Sequence, residues 1–154
     1  MMKHLILTLF LLCSWATFAQ QYNASLFGIK SDGTTNNTGS INRAMVYISE
    51  NGGGELHFYV GRYLTGTIEI KENVKIVLHE GAVILGSTNP YDYPQASLLY
   101  SQKENRIEGT GVIDTQQEEL KKNFADQLKK GFVQGPAPTP LSGTITTDSN
   151  IIIK

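Results

Sequence analysis

The sequence predicts an all-β chain of stacked coils, a solenoid, and three observations predict it. The β-prone runs are brief, the turns between them are irregular in length, and the tight Asn-Gly hairpin between long alternating runs is missing. The runs fall at residues 56–59, 67–70, 74–78 and 82–85, separated by Gly, Asn or Lys-Glu turns. A fifth, at 106–113, is interrupted by Gly109 and Gly111, and a sixth covers 150–153. Three runs begin just after an asparagine: Asn73, Asn105 and Asn150. Asparagine tolerates left-handed backbone and bonds its neighbours, which suits tight corners between coil faces; a plain surface turn is the other reading of each.

The first residues do not belong to the folded part. Lys3 and His4 form a basic start, the residues from Leu5 to Leu12 an apolar run, and Thr17-Phe18-Ala19 a small-residue site for cleavage after Ala19. This is the layout of a secretory signal peptide, too short for a membrane span. A buried N-terminal helix is the competing reading. Cys13 invites a lipoprotein reading too, although Leu12 stands where a small residue is wanted. The expected division is therefore a signal peptide at 1–19 and one domain at 20–154, with a secreted or periplasmic location.

Cys13 and Trp15, the chain's only Cys and Trp, leave with that segment. The mature part then has no disulfide, cysteine nucleophile or cysteine metal site. With 13 basic and 14 acidic residues overall, the surface is near neutral and gives no argument for nucleic acid or an anionic membrane as partner.

Two helices interrupt the strand pattern. At residues 40–50, Ile41, Ala44, Met45 and Ile48 make one apolar face, Ser40 is placed to cap it and Asn51-Gly52 to stop it. At 116–130, Leu120, Phe124 and Leu128 form a narrow stripe expected on the solenoid flank. Thr115 with Glu118 fits a capping box, and Glu118–Lys122 and Asp126–Lys130 are acid-before-base pairs. Gly135-Pro136-Ala137-Pro138-Thr139-Pro140 then excludes helix and inner strand.

A family resemblance enters through ordered motifs. Phe27-Gly28-Ile29-Lys30-Ser31-Asp32-Gly33 resembles the F-G-x-x-x-D-G opening of pectin-degrading β-helix proteins. Ile41-Asn42-Arg43-Ala44 is similar to their capping helix, and Gly52-Gly53-Gly54 to the turn after it. Phe58-Tyr59-Val60-Gly61-Arg62-Tyr63-Leu64-Thr65-Gly66 resembles F-P-x-G-x-Y-x-x-G, with Tyr59 for the usual proline. Leu78-His79-Glu80-Gly81-Ala82-Val83-Ile84-Leu85-Gly86-Ser87 and Asn89-Pro90-Tyr91-Asp92-Tyr93-Pro94 continue the likeness. Gly109-Thr110-Gly111-Val112-Ile113-Asp114 resembles a G-x-G-x-I-D element, with Thr115 where glycine normally follows. Together these resemble glycoside hydrolase family 28, the polygalacturonases and their relatives, over residues 22–114 and then weakly to 154.

The resemblance implies a right-handed parallel β-helix opening on an amphipathic capping helix, and inverting hydrolysis by an acid and carboxylates across a cleft. The family's carriers are an Asn-Thr-Asp segment, an Asp-Asp pair, a Gly-His-Gly and an Arg-x-Lys, and none is present. Asp148-Ser149-Asn150 does not replace them. Asp32 and Asp114 are expected in turns, and His57 and His79 to face solvent or bond turns. No catalytic residue, cofactor or metal site is assigned. The scattered acids Asp32, Glu50, Glu55, Glu69, Glu72 and Glu80 do not spell a calcium site, though stacking can bring distant acids together.

The apolar end Ile151-Ile152-Ile153-Lys154 reads as an uncapped coil, incomplete or covered by a partner chain. Three functions stay open. The first is the N-terminal segment of a secreted polygalacturonase-like hydrolase, inactive alone. The second is a non-catalytic module holding pectin-type acidic polysaccharide on Tyr59, Tyr63, Tyr91 and Tyr93, and the third an assembly piece. Loss of polygalacturonate affinity on replacing the tyrosines marks the second, and a defined oligomer the third.

Overall fold

The computed structural model describes residues 19–154, so the expected signal peptide lies outside the described residues except for Ala19. The strands are β1 (Gln21–Asn23), β2 (Gly54–Phe58), β3 (Gly61–Thr65), β4 (Ile68–Glu69), β5 (Val74–Leu78), β6 (Ala82–Gly86), β7 (Ser97–Gly109), β8 (Val112–Asp114), β9 (Thr139–Thr147) and β10 (Ile152–Ile153). The helices are α1 (Thr38–Glu50) and α2 (Gln117–Lys129).

Every strand pairing is parallel. One sheet runs β1-β2-β5-β7-β4, with β9 also on β7, and the second runs β10-β8-β6-β3. Parallel neighbours cannot be joined by a hairpin. The chain passes through β3 of the second sheet between β2 and β5, through β6 between β5 and β7, and through β8 between β7 and β9, whereas α1 lies between β1 and β2. Strand β7 serves two faces: its first half pairs with β4 at Leu99 and Tyr100, its second with β5 at Ile107–Gly109.

The registers stack like on like. Leu56, Ile76 and Ile107 follow one another across β2, β5 and β7 and are at most 1% exposed. Tyr63, Ile84 and Ile113 follow one another across β3, β6 and β8 and are also buried. These inward columns are the core, and each apolar side chain is covered by its neighbour one pass away. The clean alternation of β5, with Val74, Ile76 and Leu78 in and Lys75 and Val77 out, is why its predicted bounds match the observed ones.

Helix α1 closes this core at the β1 side with Ile41, Ala44, Met45 and Ile48, all fully buried. It begins at Thr38, and Ser40 is not its cap: the residue before it is Asn37, whose side chain does not cap either. Asn37 is buried and committed elsewhere. Its Oδ1 accepts from Lys30 N at 2.8 Å, and its Nδ2 donates to the carbonyls of Lys30, Thr35 and Leu64. It stitches the loop before α1 to strand β3, satisfying polar groups that burial would otherwise strand. At the other end Gly53 N donates to Ile48 O at 2.8 Å with Gly52 at φ 95°, the expected stop.

Helix α2 departs further from expectation. Its capping box does not form: Gln116 precedes the helix in left-handed backbone, and the Thr115 hydroxyl donates to Lys154 O. The ion pair on its surface is Lys122–Glu119 at 3.9 Å in place of Glu118–Lys122 and Asp126–Lys130. Leu120 and Phe124 are buried, but Leu128 is exposed, so the stripe is shorter than three turns.

Strand β9 contradicts the reading of a wholly loop-like joint, since Pro140 lies inside it. Among the described residues it pairs only with β7, and an edge strand can spare the proline's missing N–H. Of the three asparagine corners, Asn73 is left-handed at φ 62°. Asn105 lies inside β7, where its Nδ2 bonds the Ser101 hydroxyl at 2.6 Å beside a register shift, and Asn150 sits in a turn before β10. No helix among the described residues is long and apolar enough to cross a membrane.

Candidate functional site

In β2, β5, the second half of β7 and the end of β9, the residues alternating with the core point outward, so the same registers that stack the core also stack polar side chains. Glu55 lies opposite Lys75, and His57 opposite Val77, which in turn faces Glu108. The outer face becomes a network. Lys75 Nζ contacts Glu55 Oε1 at 2.6 Å and Glu108 Oε2 at 2.9 Å, and Arg106 reaches Glu108 at 3.4 Å and Asp148 at 2.6 Å. Asp148 also accepts from Gly109 N at 3.1 Å.

These contacts set the charge states. The Lys75 hydrogen bond holds the Glu55 carboxyl below its ordinary 4.5 against the burial that raises it, with His57 adding to the effect. The Arg106 guanidinium holds Asp148 below 3.8, helped by Gly109 N. Lys75 is raised above 10.5, first by Glu55 and then by Glu108. The carboxylates' folded values are depressed, so the stability they contribute is complete above their ordinary values and lost as pH falls through the folded ones. The melting temperature should fall as pH drops below about 4, and Arg106→Gln, removing the Asp148 share, should make that fall shallower. Thermal melts of both proteins between about pH 3 and pH 6 check this; parallel curves would contradict it.

Beside the ion pairs lies a chain of rings. His57 is 6% exposed, its Nε2 3.0 Å from Glu55 Oε2 and its Nδ1 2.8 Å from His79 Nε2. The Tyr59 ring lies flat on His79 at 4.3 Å and 5°, and is 45% exposed. The expectation of a solvent-facing or turn-bonding His57 is therefore corrected: it is buried in a side-chain relay. His57 and His79 stand far apart in sequence, and only the parallel register of β2 on β5 brings them together.

The four tyrosines proposed as a sugar platform divide. Tyr59 and Tyr91 are exposed, whereas Tyr63 and Tyr93 are 6% exposed. Tyr63 donates to Tyr59 O and Tyr93 to Ser87 O, and burial pushes the Tyr93 phenol up, as suits an anchoring hydroxyl. Asp32 is a turn residue as expected, accepting from the Thr34 and Thr35 amides and the Thr35 hydroxyl; the Thr35 bonds hold its carboxyl well below the usual range. Asp114 accepts from Gln116 N at 3.3 Å.

An open groove of about 530 Å³ runs along the corner by Asn73 and Asn105, lined by Glu72, Lys75, Glu104 and Arg106 among others. Its charges are of both signs. Among the described residues no three His, Cys, Asp or Glu side chains converge on a metal-sized site.

A crystallised protein of Parabacteroides merdae ATCC 43184, assigned to the glycosyl hydrolases, is 39% identical and superposes with a TM-score of 0.74 over 87% of this chain and 69% of its own. An exo-poly-alpha-D-galacturonosidase of Dickeya chrysanthemi is 37% identical over 51% of this chain. The chain belongs to the polygalacturonase-like glycoside hydrolases of family 28. The family 28 exopolygalacturonase of Yersinia enterocolitica shares the fold, with a TM-score of 0.68 over 88% of this chain at 22% identity. No protein-family model matches the chain. This family 28 chain spans 13% of the length of the Dickeya enzyme and 34% of the Yersinia one. The parallel, sheet-rich architecture is that of its family 28 neighbours, so the likeness read from the scaffold motifs extends to the backbone.

Proposed function

We propose that residues 20–154 form the N-terminal coils of a right-handed parallel β-helix in an exported hydrolase of pectin-type polysaccharide, and that these coils supply scaffold and not the acid–base groups of hydrolysis. Export rests on the signal-peptide layout of residues 1–19. The substrate class rests on the similarity to the Dickeya exo-poly-alpha-D-galacturonosidase.

One observation carries the catalytic part. A glycosidase acid must hold its proton near neutrality, which takes an apolar site or a like charge to raise its pKa. Here hydrogen-bond donors hold three carboxyls below their ordinary values, Thr35 on Asp32, Lys75 on Glu55 and Arg106 on Asp148. Each of these acids is bound by donors that fix it as an anion. Such carboxylates hold a surface together and do not protonate a leaving oxygen. The test is incubation with polygalacturonate and a count of reducing ends, expected to stay at the buffer level.

A further inference from the structure

Helix α1 has a second face that the fold leaves uncovered. Its core face is fully buried and its flanks are tied down: Asn42 bonds Thr67 O and Glu69 N, and the Ser49 hydroxyl donates to Glu72 O. Opposite the core, at helical spacing, lie Arg43, Val46, Tyr47 and Glu50, all exposed. Tyr47, at the centre, is 50% exposed. Its ring is braced from behind, meeting Phe27 at 5.7 Å and Tyr22 at 6.1 Å, both edge-on.

An open groove of about 580 Å³ follows this face, lined by Phe27, Val46 and Tyr47 and by the charged Arg43 and Glu50. Apolar side chains gathered in one patch and rimmed by charge mark an interaction surface, which scattered ones do not.

The charges say which partner fits. Arg43 donates to the Ser40 hydroxyl at 3.0 Å, and among the described residues neither Arg43 nor Glu50 has an ion-pair partner. The two stand seven residues apart, about 10 Å along the helix axis, with the apolar pair between them. The midpoint of the stripe falls between Val46 and Tyr47. A second α1 laid antiparallel on the first, about a twofold axis at that midpoint, sets Arg43 of each copy against Glu50 of the other. Val46 then meets Tyr47, and both ends of the contact are neutralised. A parallel pairing would set like charge against like. The stripe is complementary to itself in one orientation, and that points to a second copy of the chain.

We propose that two copies of this protein pair through α1, antiparallel across a twofold axis between Val46 and Tyr47, with an Arg43–Glu50 ion pair at each end. The apolar centre supplies the affinity, and the ion pairs supply direction and register. Because α1 closes the core at the β1 side, the pairing leaves the opposite end of the coil stack free.

The test is sedimentation of the purified protein from about 1 to about 100 µM, the range in which a contact of one helix face should assemble. A shift from monomer to dimer is expected within it. Arg43→Glu places two acid–acid contacts in the pairing and should weaken it at least about tenfold, and Glu50→Arg should do the same with two basic contacts. Arg43→Glu combined with Glu50→Arg in one chain rebuilds both ion pairs, and should dimerise as the unaltered protein does. An equal mixture of the two single variants should form mixed dimers. Rescue of this kind distinguishes a broken contact from a damaged fold. A monomer at every concentration would overturn the pairing; if that monomer lost affinity for polygalacturonate on Tyr47→Ala, the groove would belong to a sugar instead. A dimer indifferent to all the charge reversals would place the contact elsewhere and overturn it as well.

Discussion

Gly109→Ala is expected to destabilise the protein by about 3–5 kcal/mol, from backbone strain added to a forced shift of a packed neighbour. Gly109 sits at φ 114°, a conformation that side-chain-bearing residues rarely adopt. It also stands opposite Leu78 in the register of β7 on β5, and a Cβ there would run into the Leu78 carbonyl oxygen. That oxygen is not free to move aside. It accepts from Thr110 N at 2.9 Å and Gly111 N at 3.2 Å, the two bonds that turn the chain out of β7 towards β8. Gly28 is the control: it has φ 71° but no atom within 4 Å of the added Cβ, so Gly28→Ala should cost only about 1 kcal/mol of conformational preference. Urea denaturation of the two variants reads the difference. Equal midpoints would mean that close approach between passes does not limit the fold.

Phe58→Ala should cost about 3–5 kcal/mol, the range for emptying a buried aromatic site. Phe58 is fully buried and meets the Tyr63 ring edge-on at 5.0 Å. Tyr63 in turn anchors its hydroxyl on Tyr59 O at 3.0 Å. The cavity therefore opens at the corner between β2 and β3, where two faces of the same pass are held together. Phe58→Leu, which refills much of the volume, should recover more than half of the loss. A loss below about 1 kcal/mol for Phe58→Ala, read from the same urea titration, would show that the corner repacks.

Sequence periodicity located what depends on one segment alone. The apolar face of α1 and the bounds of β5 were legible because 3.6-residue and two-residue spacing each appear within a single element. Strand β3 escaped as a strand because Gly61, Arg62 and Thr65 dilute a five-residue run, although its motif likeness was visible. The residues of β9 read as a joint because Pro140 and Gly143 are breakers in isolation; only pairing with β7 makes them strand. Capping was misjudged at both helices: α1 starts at Thr38, so Ser40 falls inside its first turn, and the Thr115 hydroxyl is taken by a tertiary partner, Lys154 O. The relay of Glu55, His57, His79 and Tyr59 was not legible at all, since its members become neighbours through register and not through spacing.

We propose that this family 28 chain supplies coils of a pectin-type hydrolase without its catalytic groups. Reducing ends released from polygalacturonic acid over many hours, in proportion to added protein, test it most directly. Release no faster than in buffer alone is expected at any protein concentration. Steady release proportional to the protein, abolished on heating, would contradict it. It would mean that hydrolysis here uses carboxylates other than those bound as anions on the outer face.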